Sequence, residues 1–416
     1  MVIFMKYYFV GIKGTGMASL ALFLKQKGHE IKGADTSDYI FTQEELNKHK
    51  IKIESLEKMQ YQESDLVVLG NSFISLKIKN KPTISYPDLL SNILNDYISI
   101  AVSGSHGKTS TATFLSQLLP CSYIIGDGTS SYKDSPYFVF EACEYKKVFL
   151  HYKPDYLIVT NVDYDHVDYY KTEQDYQAAF LEFMKQTKKQ IIVNGDDKFL
   201  KTIPSVLKYG LGDDNDIQAK NVITNEKGII FDLYIRGSFV KTLSIKLYGI
   251  HNLMNILACI SLLYLLEKPI NIDSLIGAKR RFQETGYKTN IFIDDYGHHP
   301  TEIKATLDAI KQKYPMHKIA IIFKPDRYSR IKKFGQDFIR VFKEADEAFI
   351  MPFPSCSVKE DGIDIKDNYL QTLDPTIILL NKDFSRFKNY KNYVFLMSSS
   401  KNVNTIKEEI MKEMKK

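Results

Sequence analysis

The sequence predicts an α/β protein built from three units, each with a parallel sheet. Three observations carry this expectation. Short apolar strands alternate with helical stretches along most of the chain, which is the order of right-handed βαβ crossovers. Two of those strands run straight into glycine-rich turns. A length of 416 residues, at roughly 150 residues per domain, gives two or three domains.

The elements follow in order. Tyr7–Ile12 is a strand by its aromatic and β-branched content, Met17–Lys27 a helix, Glu30–Ala34 a second strand and Asp65–Leu69 a third. A new unit opens with the strand Tyr97–Val102, followed by a glycine turn and the helix Thr111–Leu119. Strands Phe138–Phe140, Tyr156–Thr160 and Gln190–Val193 continue it. Gly228–Leu233 and Phe239–Leu247 are separated by turn residues and suggest antiparallel strands, after which helix returns at Asn252–Leu266. The last unit runs through strand Ile291–Ile293, helix Thr301–Lys313, strand Lys318–Phe323, helix Gly335–Ala345 and strands Glu347–Met351 and Val394–Met397. The expected domains are residues 1–97, 98–288 and 289–416.

Composition excludes several classes. Hydrophobic residues at 44% and charged residues at 25% are those of a globular chain, not a disordered one. The net charge of +6 suits anionic small molecules and shows no basic tail of the nucleic-acid type. The four cysteines, Cys121, Cys143, Cys259 and Cys356, never stand at CxxC spacing, so a reducing compartment is expected. Met1–Val10 reads as a strand rather than a signal peptide, and the largely apolar run Ile256–Leu266 is too short to span a bilayer. A soluble cytoplasmic protein, with no nucleic acid or membrane among its partners, is the expectation.

The segment Gly104-Ser105-His106-Gly107-Lys108-Thr109-Ser110 lies between a strand and a helix. Backbone amides and the positive helix end there can face an anion, Lys108 adds a point charge, and Thr109 can hold Mg²⁺. Its spacing is G-x-x-G-K-T, with Val102 where the usual phosphate loop has its first glycine. The turn Gly11-Ile12-Lys13-Gly14-Thr15-Gly16-Met17, with Asp35 ending the next strand, is nearly a dinucleotide fingerprint. Lys13 takes the place of the second glycine, so a diphosphate-binding turn is expected rather than a nicotinamide or flavin site, with the Lys13 side chain a candidate phosphate contact.

Glu141 and Glu144 follow one strand, and Asn161, Asp163, Asp165 and His166 follow another. Both strand ends fall on the edge of a parallel sheet where ligands gather, and carboxylate with imidazole there favours a metal site. His251, Asn252 and Asn255 open an otherwise apolar helix, where amides can read an adenine. Arg280-Arg281-Phe282, the polar run Asp294–Glu302 and the arginines Arg327 and Arg330 complete the candidates, the last two suited to carboxylate or phosphate.

In this order the stretches GIKGTGM, GSHGKTST, FEACEY, TNVDYDH, HNLMN, RRFQET and DDYGHHPTE resemble the Mur ligases of peptidoglycan synthesis. Within that family they resemble the type that joins L-alanine to UDP-N-acetylmuramate. The resemblance implies a Rossmann-like UDP-binding domain, a central P-loop ATPase domain and a C-terminal Rossmann-like domain for the amino acid. It implies that Gly14, Thr15, Gly16, Met17 and Asp35 hold the UDP moiety. It implies that Gly104 to Ser110 bind ATP, and that Thr109, Glu141 and His166 ligate Mg²⁺ or Mn²⁺. His251, Asn252, Asn255, Arg281 and Asp295 become further nucleotide contacts. Tyr296, His298, Arg327 and Arg330 would face the muramoyl carboxylate and the acceptor, with Lys108, His298, Arg327 and Arg330 catalytic.

Three departures lie in the last domain. Asp326 stands where the family has histidine before its arginine pair, Ser398-Ser399-Ser400-Lys401 replaces a glycine-rich segment, and Phe353–Gly362 is unlike the family's. A ligase with another amino-acid or peptide acceptor, or a non-catalytic UDP-sugar-binding relative, therefore stands beside the L-alanine reading.

Overall fold

A computed structural model describes residues 4–353, 363, 365–381 and 383–416. Cys356 and all but the first residue of the divergent stretch Phe353–Gly362 lie outside them. The chain forms two compact units, one of residues 1–162, 177–217 and 256–271, the other of 163–176, 218–255 and 272–416.

The first unit carries a five-stranded sheet in the order Lys52–Ser55, Glu30–Asp35, Lys6–Val10, Leu66–Leu69, Thr83–Ser85. Every pairing in it is parallel. Strand order reverses direction at Lys6–Val10, so the crevice at that strand's carboxyl end is the natural ligand position. Helix Thr15–Gln26 covers this sheet, with Met17 to Leu24 all buried. Several elements of this unit, Thr83–Ser85 among them, were not read from the sequence. Lys52–Ser55 is a four-residue polar edge strand, whereas helix Tyr86–Leu94 does carry a start signal, since the Ser85 hydroxyl accepts the Asp88 amide and Pro87 sits in the first turn.

A second sheet in this unit orders Leu207–Gly210, Gln190–Asn194, Tyr156–Val159, Ile98–Ser103, Tyr137–Glu141 and Cys121–Ile124. Ile98–Ser103 lies at its centre, paired in parallel with Tyr156–Val159 and Tyr137–Glu141. Ile100, Ala101 and Val102 have no exposed surface, which is why the strand reads as an unbroken apolar run. The register pairs Val102 with Glu141 and Ser103 with Val159, so three chain segments end together at one edge.

In the second unit, Gly228–Ile235 pairs antiparallel with Ser238–Ile245, as expected. Its large sheet orders Gln283–Tyr287, Asn290–Asp295, Tyr393–Ser398, Lys318–Phe323, Glu347–Ile350 and Ile378–Leu379. The hairpin of the first two strands crosses the expected boundary between residues 288 and 289. Along Lys318–Phe323, side chains alternate between two cores: Ile319, Ile321 and Phe323 face one, Ala320 and Ile322 the other. The helix expected from Gly335 starts earlier, at Tyr328, and bends at Phe334 (φ −105°, ψ 17°). Its polar first turns, with Ser329 and Arg330 buried, hid it from a hydrophobic-period reading. Among the described residues no helix is long and apolar enough to cross a membrane.

Phe323 anchors the second unit's core, with its ring 5.0 Å from Phe338 and 5.5 Å from Phe342. Phe323→Ala is expected to destabilise this unit by about 3–5 kcal/mol, read as a lower urea midpoint for its transition. A loss under about 1 kcal/mol would remove Phe323 from that role.

Candidate active site

The phosphate loop is set by two glycines in conformations that L side chains avoid. Gly104 has φ +130°, and a Cβ there would lie 2.1 Å from the Thr160 hydroxyl oxygen. Gly107 has φ +85° and starts helix Lys108–Leu118. Between them the loop is strapped to the end of the neighbouring strand. The Ser105 amide donates to the Asn161 carbonyl (3.1 Å) and the His106 amide to Asn161 Oδ1 (2.9 Å). Asn161 Nδ2 returns a bond to the His106 carbonyl at 3.0 Å. The amides of Lys108, Thr109 and Ser110 open the helix and have no partner within it, leaving them to an anion.

Lys108 Nζ folds back over this loop. It donates to the Gly104 carbonyl, to the Ser105 carbonyl at 3.1 Å and to Glu144 Oε1 at 3.1 Å. Burial opposes its charge, but Glu144, Cys143 and Glu141 together outweigh that effect and hold the pKa above its ordinary value. Thr109 Oγ1 donates to Glu141 Oε2 at 3.2 Å, so the hydroxyl and carboxylate expected to share a cation do come together. Glu141 also accepts the Gly126 amide, and burial raises its pKa. The donor set, a hydroxyl and a carboxylate beside a helix start, fits a hard divalent ion. His166 belongs by its contacts to the second unit. Its backbone is left-handed (φ 53°), with its amide held by Asp165 Oδ1 at 2.7 Å.

The N-terminal turn is closed by Asp35. Its carboxylate accepts the Lys13 amide (2.7 Å) and the Thr36 amide (2.7 Å). Gly14 precedes helix Thr15–Gln26, so Thr15, Gly16 and Met17 present that helix's first amides as expected. Lys13 does not reach outward. Its side chain is buried, and Nζ donates to the carbonyls of Thr36 (2.6 Å) and Asp38. The expected phosphate contact is corrected: two carbonyls satisfy this ammonium inside the fold, so it positions the loop after the second strand.

In the second unit, burial and the nearby Arg281 guanidinium lower the pKa of His251 to about 4. The imidazole is therefore neutral, and its Nδ1 is buried without a hydrogen-bond partner. Asn252 Nδ2 donates to the Tyr248 carbonyl at 2.8 Å, while Asn255 is buried near the same helix start. Arg281 donates to Glu302 Oε1 (3.3 Å) and lies 5.1 Å from the centre of the Tyr296 ring. Asp295 accepts the amides of Phe282 (2.9 Å) and Gly297 (2.8 Å), and burial raises its pKa.

Glu302, which ends the polar run and had no role of its own in the sequence, organises the backbone before it. Its Oε2 accepts the amides of His298 (3.0 Å) and His299 (3.3 Å), closing a capping box over helix Pro300–Lys313. The signal was present as Pro300-Thr301-Glu302, with proline and glutamate at the first and third helical positions. His298 Nδ1 lies 2.9 Å from the Tyr296 carbonyl, which only accepts, so Nδ1 carries the proton and Nε2 the lone pair. Burial, then Arg330, lowers the pKa of this imidazole.

Both expected arginines meet aspartates. Arg327 Nη1 donates to Asp168 Oδ2 at 2.7 Å. Arg330 grips Asp165 through Nε (3.2 Å) and Nη2 (3.1 Å), and donates to Asp326 Oδ1 through Nη1 (3.0 Å). Asp326 accepts a second bond from Ser400 Oγ at 2.8 Å, so two of the unusual positions form one pair. Burial disfavours both carboxylates, yet Arg330 beside Asp165, and His298 with Arg330 beside Asp326, keep each pKa below the ordinary range. The Arg280 guanidinium holds the altered segment by donating to the carbonyls of Ser399 (2.8 Å), Ser400 (3.3 Å) and Lys401 (2.8 Å).

Comparison with known proteins bears on the family and the fold. Residues 6–97 match the "Mur ligase family, catalytic domain", 128–263 the "Mur ligase middle domain", and 280–374 the "Mur ligase, glutamate ligase domain". The fold is similar to that of UDP-N-acetylmuramate-alanine ligase from Thermotoga maritima, with a TM-score of 0.82, 22% identity and 99% of each chain covered. It is also similar to a murein peptide ligase from Psychrobacter arcticus, with a TM-score of 0.68, 22% identity and coverage of 99% of this chain and 98% of that one. MurF ligase from Thermotoga maritima, solved in complex with ADP, gives a TM-score of 0.65 at 18% identity over 92% and 95% of the two chains. With all three family segments matched in order, the chain belongs to the Mur ligase family, the ATP-dependent amide ligases of peptidoglycan synthesis.

Proposed function

We propose that this chain joins L-alanine to the lactyl carboxylate of UDP-N-acetylmuramate, using ATP and a divalent cation. The observation that carries the ATP-dependent half is the phosphate loop, where Lys108 and the Thr109–Glu141 pair meet at one helix start. Oxide is a poor leaving group, so a carboxylate must be activated before an amine can displace it; the γ-phosphoryl of ATP does this by forming an acyl phosphate. Phosphoryl transfer asks the protein mainly for positioning and charge neutralisation. Lys108 and the helix amides supply positive charge, and Mg²⁺ held by Thr109 and Glu141 would supply more. Gly14 to Met17, with Asp35 beneath them, are assigned to the UDP diphosphate. His251, Asn252, Asn255, Arg281 and Asp295 are assigned to nucleotide recognition by the second unit.

The acceptor amine must lose a proton before it attacks. His298 Nε2 is assigned to take it, because the imidazole is neutral and its other nitrogen is committed to the Tyr296 carbonyl. Tyr296 and Arg327 are assigned to orient the acceptor. L-alanine rests on the family resemblance, and the pairing of Asp326 with Arg330 and Ser400 supports it, since that carboxylate needs no cationic acceptor to balance it. A different acceptor is the second reading, favoured by the change to Asp326 itself. The direct test is phosphate release with UDP-N-acetylmuramate and each common amino acid in turn. L-alanine is expected to give the highest kcat/KM; another best acceptor would replace this reading by the second.

Lys108→Ala is expected to lower turnover roughly 1000-fold, as loss of a transition-state charge contact does; it also breaks the buried ion pair with Glu144, so the unfolding midpoint is expected to fall as well. Turnover within a few fold of the parent would remove Lys108 from catalysis. His298→Asn is expected to lower kcat by about 100-fold or more. In the parent, the lowered pKa keeps the imidazole basic below its ordinary value of 6.5. The acid limb of kcat should therefore fall below pH 6.5 and disappear in His298→Asn; an acid limb unaltered by the substitution contradicts the assignment.

A further inference from the structure

A phenol stands over the N-terminal glycine turn. Strand register sets Val10 beside Leu69 and Leu69 beside Ser85, so the residues after Val10 and after Ser85 emerge on one edge of the five-stranded sheet. The first of these segments is the glycine turn. The second begins with Tyr86, the first residue of helix Tyr86–Leu94, fixed there by the Ser85 cap. The tip of the Tyr86 ring lies on Gly16. A Cβ at residue 16 would stand 2.9 Å from Tyr86 Cζ and 3.0 Å from its hydroxyl oxygen, closer than real side chains pack. Gly16 belongs to helix Thr15–Gln26 and is not among the residues of positive φ, so its backbone conformation does not require glycine. Residue 16 is bare because the phenol fills its side-chain space.

That placement aims the hydroxyl at the turn's own ligand position. Cα–Cβ bonds in an α-helix lean toward its N-terminus, so a group packed on the Cβ position of Gly16 stands on the side of the open amides of Thr15, Gly16 and Met17. Among the described residues the Tyr86 hydroxyl has no hydrogen-bond partner, although a partly buried phenol calls for one. Burial, with Cys143 and Glu141 nearby, raises the pKa of this phenol, so it keeps its proton and is able to donate. The turn itself offers an anion no cationic side chain, because Lys13 is held by the carbonyls of Thr36 and Asp38 inside the fold. We propose that the Tyr86 hydroxyl donates to a diphosphate oxygen of the UDP substrate, completing with the helix amides an anion site made of neutral donors. This inference rests on the assignment of Gly14 to Met17 to the UDP diphosphate.

Isothermal titration of UDP-N-acetylmuramate into the whole protein, without ATP, tests it apart from turnover. Tyr86→Phe keeps the ring on Gly16 and removes only the hydroxyl. The variant should bind roughly 10-fold more weakly, the effect of losing a hydrogen bond to a charged group. Its thermal midpoint should not fall, because no hydrogen bond within the protein is lost. In phosphorus NMR of the saturated complex, at least one of the two diphosphate resonances should shift between parent and variant. Equal affinity in parent and variant overturns the proposal. Weaker binding with both resonances unmoved also overturns it, by placing the hydroxyl on another part of the ligand. Weaker binding with a lowered thermal midpoint shows a packing role and overturns it as well. If the parent itself does not bind UDP-N-acetylmuramate, the UDP assignment fails, and the role of Tyr86 falls with it.

Discussion

The phosphate loop depends on how closely Gly104 approaches Thr160. Any side chain at residue 104 would occupy the space of the Thr160 hydroxyl, and its φ of +130° is one that L residues rarely adopt. That approach lets Thr160 and Asn161 reach the carbonyls of Ser103 and His106 and the amides of Ser105 and His106. With the loop held from one side, the first amides of helix Lys108–Leu118 remain open, and Lys108 folds back onto the loop carbonyls of Gly104 and Ser105. The register that brings the ends of three parallel strands together also delivers Glu141 to Thr109. Catalytic geometry here follows from backbone closeness, with the charged side chains added to a frame already fixed.

Charge management separates the two units. In the first, the Lys108 ammonium meets the buried Glu144 carboxylate at 3.0 Å, while Glu141 accepts from the Thr109 hydroxyl and the Gly126 amide. In the second, guanidinium and carboxylate groups are matched. Arg330, 2% exposed, lies between Asp165 and Asp326, and Arg327 meets Asp168. Buried ion pairs of this kind are weak evidence for stability, but breaking one by removing a single partner is costly. They fix the segment that carries Asp165 and His166, and Arg330, after burial, also lowers the pKa of the His298 imidazole.

Much of this was legible in the sequence because the informative features are local. Strand, glycine turn and helix in succession located both glycine turns at helix starts, and apolar runs located the central strands. The pairing of Thr109 with Glu141 followed from two strand ends sharing one sheet edge. Partners far apart in the chain were not legible. Nothing near Arg330 says that its carboxylates are Asp165 and Asp326, and nothing near Asp326 says that Ser400 will support it. The inward turn of Lys13 is the same case, since only the fold shows two carbonyls waiting for its ammonium. Helix Tyr328–Phe342 was half seen because its first turns bury polar groups, against the rule by which helices are recognised.

The activation of a carboxylate by phosphoryl transfer is the central claim, and oxygen isotope transfer measures it directly. UDP-N-acetylmuramate carrying heavy oxygen in its lactyl carboxylate is incubated with ATP, Mg²⁺ and L-alanine, and the released phosphate is analysed by mass spectrometry. One labelled oxygen is expected in each phosphate, because the oxygen that receives the phosphoryl group leaves with it. Amide formation with phosphate free of label would contradict activation through an acyl phosphate.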